Sequence, residues 1–311
     1  MTWLFVAIAA YLILAIVNLL DKFLVDNIIK NSRAYAFVAC TLGLAILIIA
    51  PWFMEWPGWF LLGHNLLNGF IFALALWALY AALRRGEAAR ILVVVGGLTP
   101  VFSLGISVLF LNESFKRSEW QGIGLILIGV LLLALLPTAR SYLARIFKKF
   151  NFIQPAMTDG LPIAVLSALA YSLYFISTKI AYAGQPFMSA FIWTRLGAAL
   201  FVLAFLIRQA DRRAIKDLLF NSRSSGSRGL VVFNQALGAS GFILQNYAIF
   251  LGSVVLVNAL QGLQYAFLLI ISAALSILAP RFLKEKFSWR IVLQKTIAVI
   301  AIMAGLYFIA F

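Results

Sequence analysis

Apolar residues in this chain come in long runs rather than in alternation. Ten stretches are predominantly apolar, at about 2–20, 34–54, 58–82, 89–111, 119–136, 160–182, 187–207, 229–250, 253–279 and 290–310. Each is close to the roughly 20 residues that an α-helix needs to cross a bilayer core. A lone strand in lipid would leave its backbone N–H and C=O groups unpaired, so the runs are predicted as helices. The first run, "MTWLFVAIAAYLILAIVNLLDKF", has no basic segment ahead of about eighteen apolar residues. That predicts a retained first span rather than a cleaved leader. The predicted fold class is an all-α integral membrane protein with ten transmembrane helices.

The runs repeat. "FLNESF" at 110–115 closes the fourth and returns as "FLKEKF" at 282–287 after the ninth. "AFVACTLGLA" (36–45) in the second is echoed by "AFIWTRLGAA" (190–199) in the seventh, and "LLDKF" with Lys22 ends the first as "ISTKI" with Lys179 ends the sixth. Three echoes in order predict a duplication: one five-helix unit at 1–137, a basic interfacial linker at 138–159 and a second unit at 160–311. Five is an odd number, so the second unit enters the membrane inverted. Inverted repeats are how many secondary transporters build two access states around one central site.

Charge orients the bundle. Only 11% of residues are charged and 64% are hydrophobic, with a mean hydropathy of +1.02, where a soluble domain carries about a quarter charged residues. Lys plus Arg number 25 against 10 acids, a formal +15. The excess lies between spans, which argues for a membrane and against a nucleic-acid partner. The loops after odd-numbered spans hold about 20 of these bases, including Lys22, Arg84, Arg85, Lys148, Lys149, Arg212, Arg213 and Arg290, while the opposite face has Lys116 and Arg117. The positive-inside rule makes the basic face cytoplasmic, places both termini outside and predicts a multi-pass protein of the plasma (inner) membrane. The linker segment "RSYLARIFKKF" (140–150) is a topology determinant that also suits anionic headgroups. A single cysteine, Cys40, excludes an intramolecular disulfide and a cysteine metal cluster. "GGLTP" and "GASG" lie inside apolar runs and fit no nucleotide loop. No enzymatic activity, cofactor or metal is predicted.

Pro100 in the fourth span, "LNE" ending at Glu113, then Gly122, Leu125, Gly129 and Val130 resemble the EamA-type repeat of the drug/metabolite transporter superfamily. Lys22 and Lys179 resemble the lysine that often closes the first helix of each family repeat, and Arg195 an arginine common in the second. The resemblance spans essentially the whole chain. It implies alternating-access transport of a small organic metabolite, coupled to protons or to exchange. The ninth span lacks a counterpart of Pro100, the glycine spacing after Glu285 is lost, and Thr41 stands opposite Arg195. Ten-span members are expected to keep both termini inside, against the charge bias read here.

Ionisable groups inside spans are functional candidates by default. Lys179, Arg195 and Lys295 qualify, whereas Asp21, Glu113 and Asp159 lie near span ends. Arg195 is about nine residues into its helix, or about 13 Å deep, close to the midplane. An inward arginine without an acid suits an anionic substrate group; its structural role would be to lock helices together. Polar stripes follow helical spacing: Ser167, Tyr171, Tyr174 and Thr178; Asn234, Gly238, Gly241 and Gln245; Asn258, Gln261 and Gln264/Tyr265; Tyr11 and Asn18; His64 and Asn68. Such amides and aromatics would line a polar cavity or bond between helices. The substrate-binding set is therefore Arg195, Tyr171, Tyr174, Asn234, Gln245, Asn258, Gln261, Lys179 and Asn18. Gly96, Thr99, Ser103 and Ser107 form a close-packing face. His64, whose unperturbed pKa is near neutral, and Glu113 are the candidates for proton coupling, with Glu113 and Glu285 otherwise structural at helix–loop junctions. The expected partners are a small, acidic substrate and membrane lipids. Two alternatives stand beside transport of a metabolite: a flippase for an anionic lipid-linked headgroup, marked by a lateral opening, and a non-transporting scaffold, marked by a fully satisfied Arg195.

Overall fold

A computed structural model describes residues 2–27, 31–85, 88–110, 114–134, 160–220, 225–278 and 289–310. Every regular element among them is helical, as apolar runs of span length in lipid require. The first half contains α1 (Thr2–Asn27), α2 (Ser32–Leu42), a 3₁₀ segment Gly43–Ile49 leading into α3 (Ala50–Phe53), α4 (Trp59–Leu83), α5 (Ala88–Phe110) and α6 (Arg117–Ala134). The second has α7 (Leu161–Gly184), α8 (Phe187–Leu203) with a 3₁₀ end at Ala204–Ile207, α9 (Gln209–Phe220), α10 (Ser225–Leu251), α11 (Val254–Ala259), α12 (Gln261–Leu278) and α13 (Trp289–Ala310).

Among the described residues, five segments are long and apolar enough to cross a membrane by themselves: Thr2–Asp21, Ser32–Phe53, Trp59–Leu83, Leu161–Gly184 and Phe187–Ile207. Val94–Phe110, Val254–Leu268 and Thr296–Gly305 are shorter apolar stretches. Their outward sides carry Phe5, Ile48, Leu109, Leu200 and Ile300, all exposed, as lipid contact demands. Trp52, Trp56 and Trp59 are exposed where the second run gives way to the third, an aromatic belt of the kind found at membrane–water interfaces.

Packing follows a rule of exchange between the halves. α1 lies antiparallel to α10: Gln245 meets Tyr11, Gly241 meets Leu14, Gly238 meets Val17, and Asn234 meets Asp21. Their counterparts α7 and α4 do the same, with Asn68 Nδ2 donating to Thr178 Oγ1 (2.7 Å) and Ser167 Oγ to the Ala75 carbonyl (2.8 Å). α1 also packs on α12 as α7 packs on α5, and α6 pairs with α13. Helices that are mates in sequence make mate contacts in space, which supports the inverted duplication.

One pair departs from the rule. α4 and α8 meet backbone to backbone: a Cβ on Gly69 would collide with the Thr194 carbonyl and lie 2.5 Å from the Ala198 nitrogen, and one on Gly197 would strike Leu66. Their sequence mates, α10 and α2, only graze. The glycines of α10 face α1 instead.

Three features lay outside the reading of the sequence. The second run changes from α to 3₁₀ geometry at Gly43, the ninth is interrupted at Leu260, and the connection after the seventh holds the surface helix α9. α9 buries Ile215 and Asp211 while Arg212, Arg213 and Lys216 stay exposed.

Candidate functional site

Arg195 sits at the crossing of both halves. Its carbon chain lies against Gly43 of the 3₁₀ segment, 3.7 Å from where a Cβ would stand there. The guanidinium is enclosed by aromatic rings: Phe72 of α4 at 4.0 Å, Phe191 of α8 at 4.6 Å and Phe242 of α10 at 4.8 Å from their centroids. Cation–π attraction of this kind strengthens when desolvated, and Arg195 is 7% exposed. Nη2 donates to the Tyr174 hydroxyl at 3.1 Å, while Nε is buried without a hydrogen-bond partner. Among the described residues the only ion pair joins Arg33 to Asp211, so no described acid neutralises Arg195.

Tyr174 passes the network onward, donating to Asn246 Oδ1 at 2.9 Å. It is fully buried, packed against Phe72 and stacked on Phe242. Tyr171 flanks the same cluster, stacked on Phe175 at 6.0 Å. The stripe predicted on the sixth run thus converges with Arg195 on one aromatic centre.

A second group gathers where α11 stops. Asn258 Nδ2 donates to Ser103 Oγ of α5 (2.9 Å), leaving Asn258 Oδ1 buried and unbonded, as is Gln261 Oε1 just past the break at Leu260. The Tyr11 hydroxyl donates to the Val257 carbonyl at 2.7 Å and receives Gln245 Nε2 at 3.3 Å. Interrupted helices at membrane depth are a recurring way to expose backbone and amide groups to a substrate. Tyr11, Phe72, Tyr174, Val257 and Leu260 belong to one contiguous core cluster, so the arginine cage and the broken helix share it.

The other predicted residues fall elsewhere. Asn234 donates from Nδ2 to Asp21 Oδ1 (2.7 Å), its own Oδ1 buried and unbonded. Lys179 donates to the carbonyls of Ile249 (2.9 Å), Phe250 (3.2 Å) and Gly252 (2.7 Å). It therefore caps the end of α10 rather than reaching for the interface. Asn18 is half-buried on α1, one turn before Asp21. His64 Nε2 lies 3.0 Å from the Ser177 carbonyl and 3.1 Å from its hydroxyl, bridging α4 and α7. Glu113 and Glu285 lie outside the described residues, as do the side chains of Lys295 and Tyr265.

Asp21 is the residue that sequence reasoning passed over. Its Oδ1 accepts from Tyr35 Oη of α2 at 2.7 Å as well as from Asn234 of α10 at 2.7 Å. Tyr35 packs tilted against Tyr80, 4.4 Å between centroids. One carboxylate thus ties α1, α2 and α10 at the basic end. The available signal was an acid closing an apolar run, one turn beyond Asn18.

The opposite end is tied by neutral groups. Ser189 Oγ and Trp193 Nε1 both donate to the Glu55 carbonyl (3.1 and 3.0 Å). Asn65 and Gln185 exchange amide bonds of 3.2 and 3.0 Å.

Residues 1–135 match the model of the EamA-like transporter family. That match indicates a multi-pass membrane transporter of the drug/metabolite type, in agreement with the resemblance read from Pro100, Gly122 and Gly129. A solved crystal structure aligns over 99% of this chain and 94% of its own with a TM-score of 0.64 and 18% identity, a likeness of fold alone. No curated protein matches the sequence.

Proposed function

We propose that this chain, whose first half matches the EamA-like transporters, is a secondary active transporter of the plasma membrane that moves a small organic metabolite bearing an acidic group. The observation that carries the reading is Arg195: a cation at the crossing of the halves, wrapped in aromatic rings, with Nε buried and unbonded. Leaving a donor of a buried charged group unmade costs about 1–3 kcal/mol, and a substrate carboxylate would recover it. Phe72, Phe242 and Tyr171 offer an apolar and aromatic wall for the body of such a substrate. Asn258, Gln261 and Gln245 would orient its polar groups, with Tyr174 fixing the arginine.

Alternating access follows from the unequal gates. The Glu55 and Asn65 bonds hold the sparsely charged face shut, and the α4–α8 seam packs tightly at mid-depth beneath them. On the basic face Asp21 of α1 bridges Asn234 of α10 and Tyr35 of α2. Protonating Asp21 would turn a charged acceptor of two bonds into a neutral one, and charge-assisted bonds are roughly twice as strong. Asp21 is thereby the proposed coupling group, a better placed one than His64, whose ring is held between α4 and α7. A scaffold would need its core polar atoms satisfied. Arg195 Nε, Asn234 Oδ1, Asn258 Oδ1 and Gln261 Oε1 are not, which speaks against that alternative.

The test is thermal stability of the purified protein against anionic, zwitterionic and cationic metabolites, beside Arg195→Gln. A ligand of the folded state stabilises by RT ln(1 + [L]/Kd). Stabilisation by carboxylates that vanishes in Arg195→Gln is expected. Stabilisation that survives the substitution would move the substrate away from Arg195, and a response confined to cations would refute an acidic substrate.

A further inference from the structure

The bases of the cytoplasmic face do more than orient the chain. A cavity of about 400 Å³ opens there, lined by Arg33, Arg84, Arg85 and Arg208 together with Trp77 and Asp211. A second, of about 310 Å³, adjoins it through Arg33, Trp77, Arg208 and Asp211 and continues past Phe205 and Ile207. Both fall in the range of small-ligand pockets, about 300–1,000 Å³.

Asp211, the one acid among the described lining residues, is already engaged. It accepts from Arg33 Nη1 on Oδ2 at 2.9 Å and from Asn31 Nδ2 on Oδ1 at 3.1 Å, and it is 5% exposed. Arg33 is further held over Trp77 at 5.7 Å and Phe205 at 5.9 Å. That arrangement builds a fixed wall from one base and its acid. Arg84, Arg85 and Arg208 remain, and no ion pair involves them among the described residues. Three guanidinium groups converging on one cleft repel each other unless an anion joins them.

Depth identifies the kind of anion. Arg84 directly follows the span Trp59–Leu83, Arg208 directly follows Phe187–Ile207, and Arg33 is the second residue of Ser32–Phe53. All three stand where hydrocarbon gives way to headgroups. The second lobe is apolar, and Ile207 is 83% exposed at its rim.

We propose that this cleft binds a phosphate-bearing anion, with the phosphate held between Arg84, Arg85 and Arg208 and any attached apolar chain running along Phe205 and Ile207. Guanidinium groups match phosphate oxygens in bidentate pairs. The cleft is separate from the Arg195 centre, and its occupancy does not depend on the substrate proposed there.

The experiment measures binding to the purified full chain in neutral detergent, by native mass spectrometry and thermal shift. The probes are dioctanoyl phosphatidylglycerol, dioctanoyl phosphatidylcholine and inorganic phosphate. The pocket variant is Arg84→Gln/Arg208→Gln. The control, Arg212→Gln/Arg213→Gln, removes the same charge from the same face outside the cleft. The expected result is retention of phosphatidylglycerol over phosphatidylcholine, weakened about tenfold or more in the pocket variant and within about twofold in the control. Inorganic phosphate bound with the same sensitivity would also support the site and assign it to a soluble phosphate. Equal loss in both variants would reduce the effect to general surface charge and overturn the proposal, as would equal binding of the zwitterionic lipid or no binding of any probe.

Discussion

Gly69 and Gly63 lie on the same helix, six residues apart, and the same substitution should act on them with opposite sign. At Gly63 nothing lies within 4 Å of the position a Cβ would take, so alanine there adds only helix propensity, about 0.5–1 kcal/mol of stabilisation. At Gly69 the new atom would meet the Thr194 carbonyl, the Ala198 nitrogen (2.5 Å) and the Gly197 carbonyl carbon (2.8 Å). These are backbone atoms of a packed helix and cannot rotate away, as the end of a side chain could. Overpacking costs typically 1–3 kcal/mol, and a clash with rigid backbone belongs at the upper end. Subtracting the propensity gain leaves Gly69→Ala destabilised by roughly 2 kcal/mol. Gly63→Ala should be unchanged or slightly stabilised. Equilibrium unfolding of both variants in matched detergent measures the difference, and transport by reconstituted protein reports the seam. Gly69→Ala should also leak or stall, because α4 and α8 would close only with a gap between them. A Gly69→Ala protein as stable as Gly63→Ala would refute a backbone-tight seam.

Three further expectations follow from other contacts. Lys179→Met should destabilise by about 2–3 kcal/mol, since the carbonyls of Ile249, Phe250 and Gly252 lose a charged donor; thermal unfolding beside Lys179→Arg checks it. A double-mutant cycle on Asn68→Leu and Thr178→Val should give a coupling of about 0.6–1.7 kcal/mol, the range for bonds between helices in lipid. A coupling near zero would mean that the 2.7 Å bond is replaced in either single variant. Asp21→Asn should abolish accumulation driven by an imposed pH gradient while sparing substrate exchange. Uptake that still responds to the gradient in this variant would remove Asp21 from the coupling role.

The helices were legible because lipid imposes one requirement along each run: length, apolar composition and no unpaired backbone. Arg195 was legible for the same reason, as a charge where charges are costly. What decided its surroundings was not. Phe72, Phe191 and Phe242 lie on three different helices, and nothing in an apolar run distinguishes a phenylalanine that cages a cation from one that faces lipid. The carbonyls of Ile249, Phe250 and Gly252 that Lys179 meets were not legible either, because backbone acceptors at the end of another helix carry no sequence signal. The break at Leu260 was hidden because Asn258, Gln261 and Gln264 around it keep helical spacing, so they read equally well as a polar stripe on an unbroken helix. The Gly238 and Gly241 stripe was read as part of a cavity wall with Asn234 and Gln245, yet it turned out to be the surface on which Leu14 and Val17 rest. Small residues at helical spacing say that something comes close, without saying what.

The unequal seams also bear on energetics at rest. Two inverted copies with identical packing would give two access states of equal free energy. Here one closed contact is made by Gly69 and Gly197, and the corresponding helix pair has no glycines facing each other to build its like. Under the alternating access proposed above, the idle protein should therefore favour the conformation in which this seam is closed. A bias of only 1.4 kcal/mol is a tenfold difference in population. Whatever binds must favour the rarer conformation by at least that much, so under the mechanism proposed above cargo and proton would act on a poised equilibrium rather than a symmetric one, while net direction would still be set by the gradients.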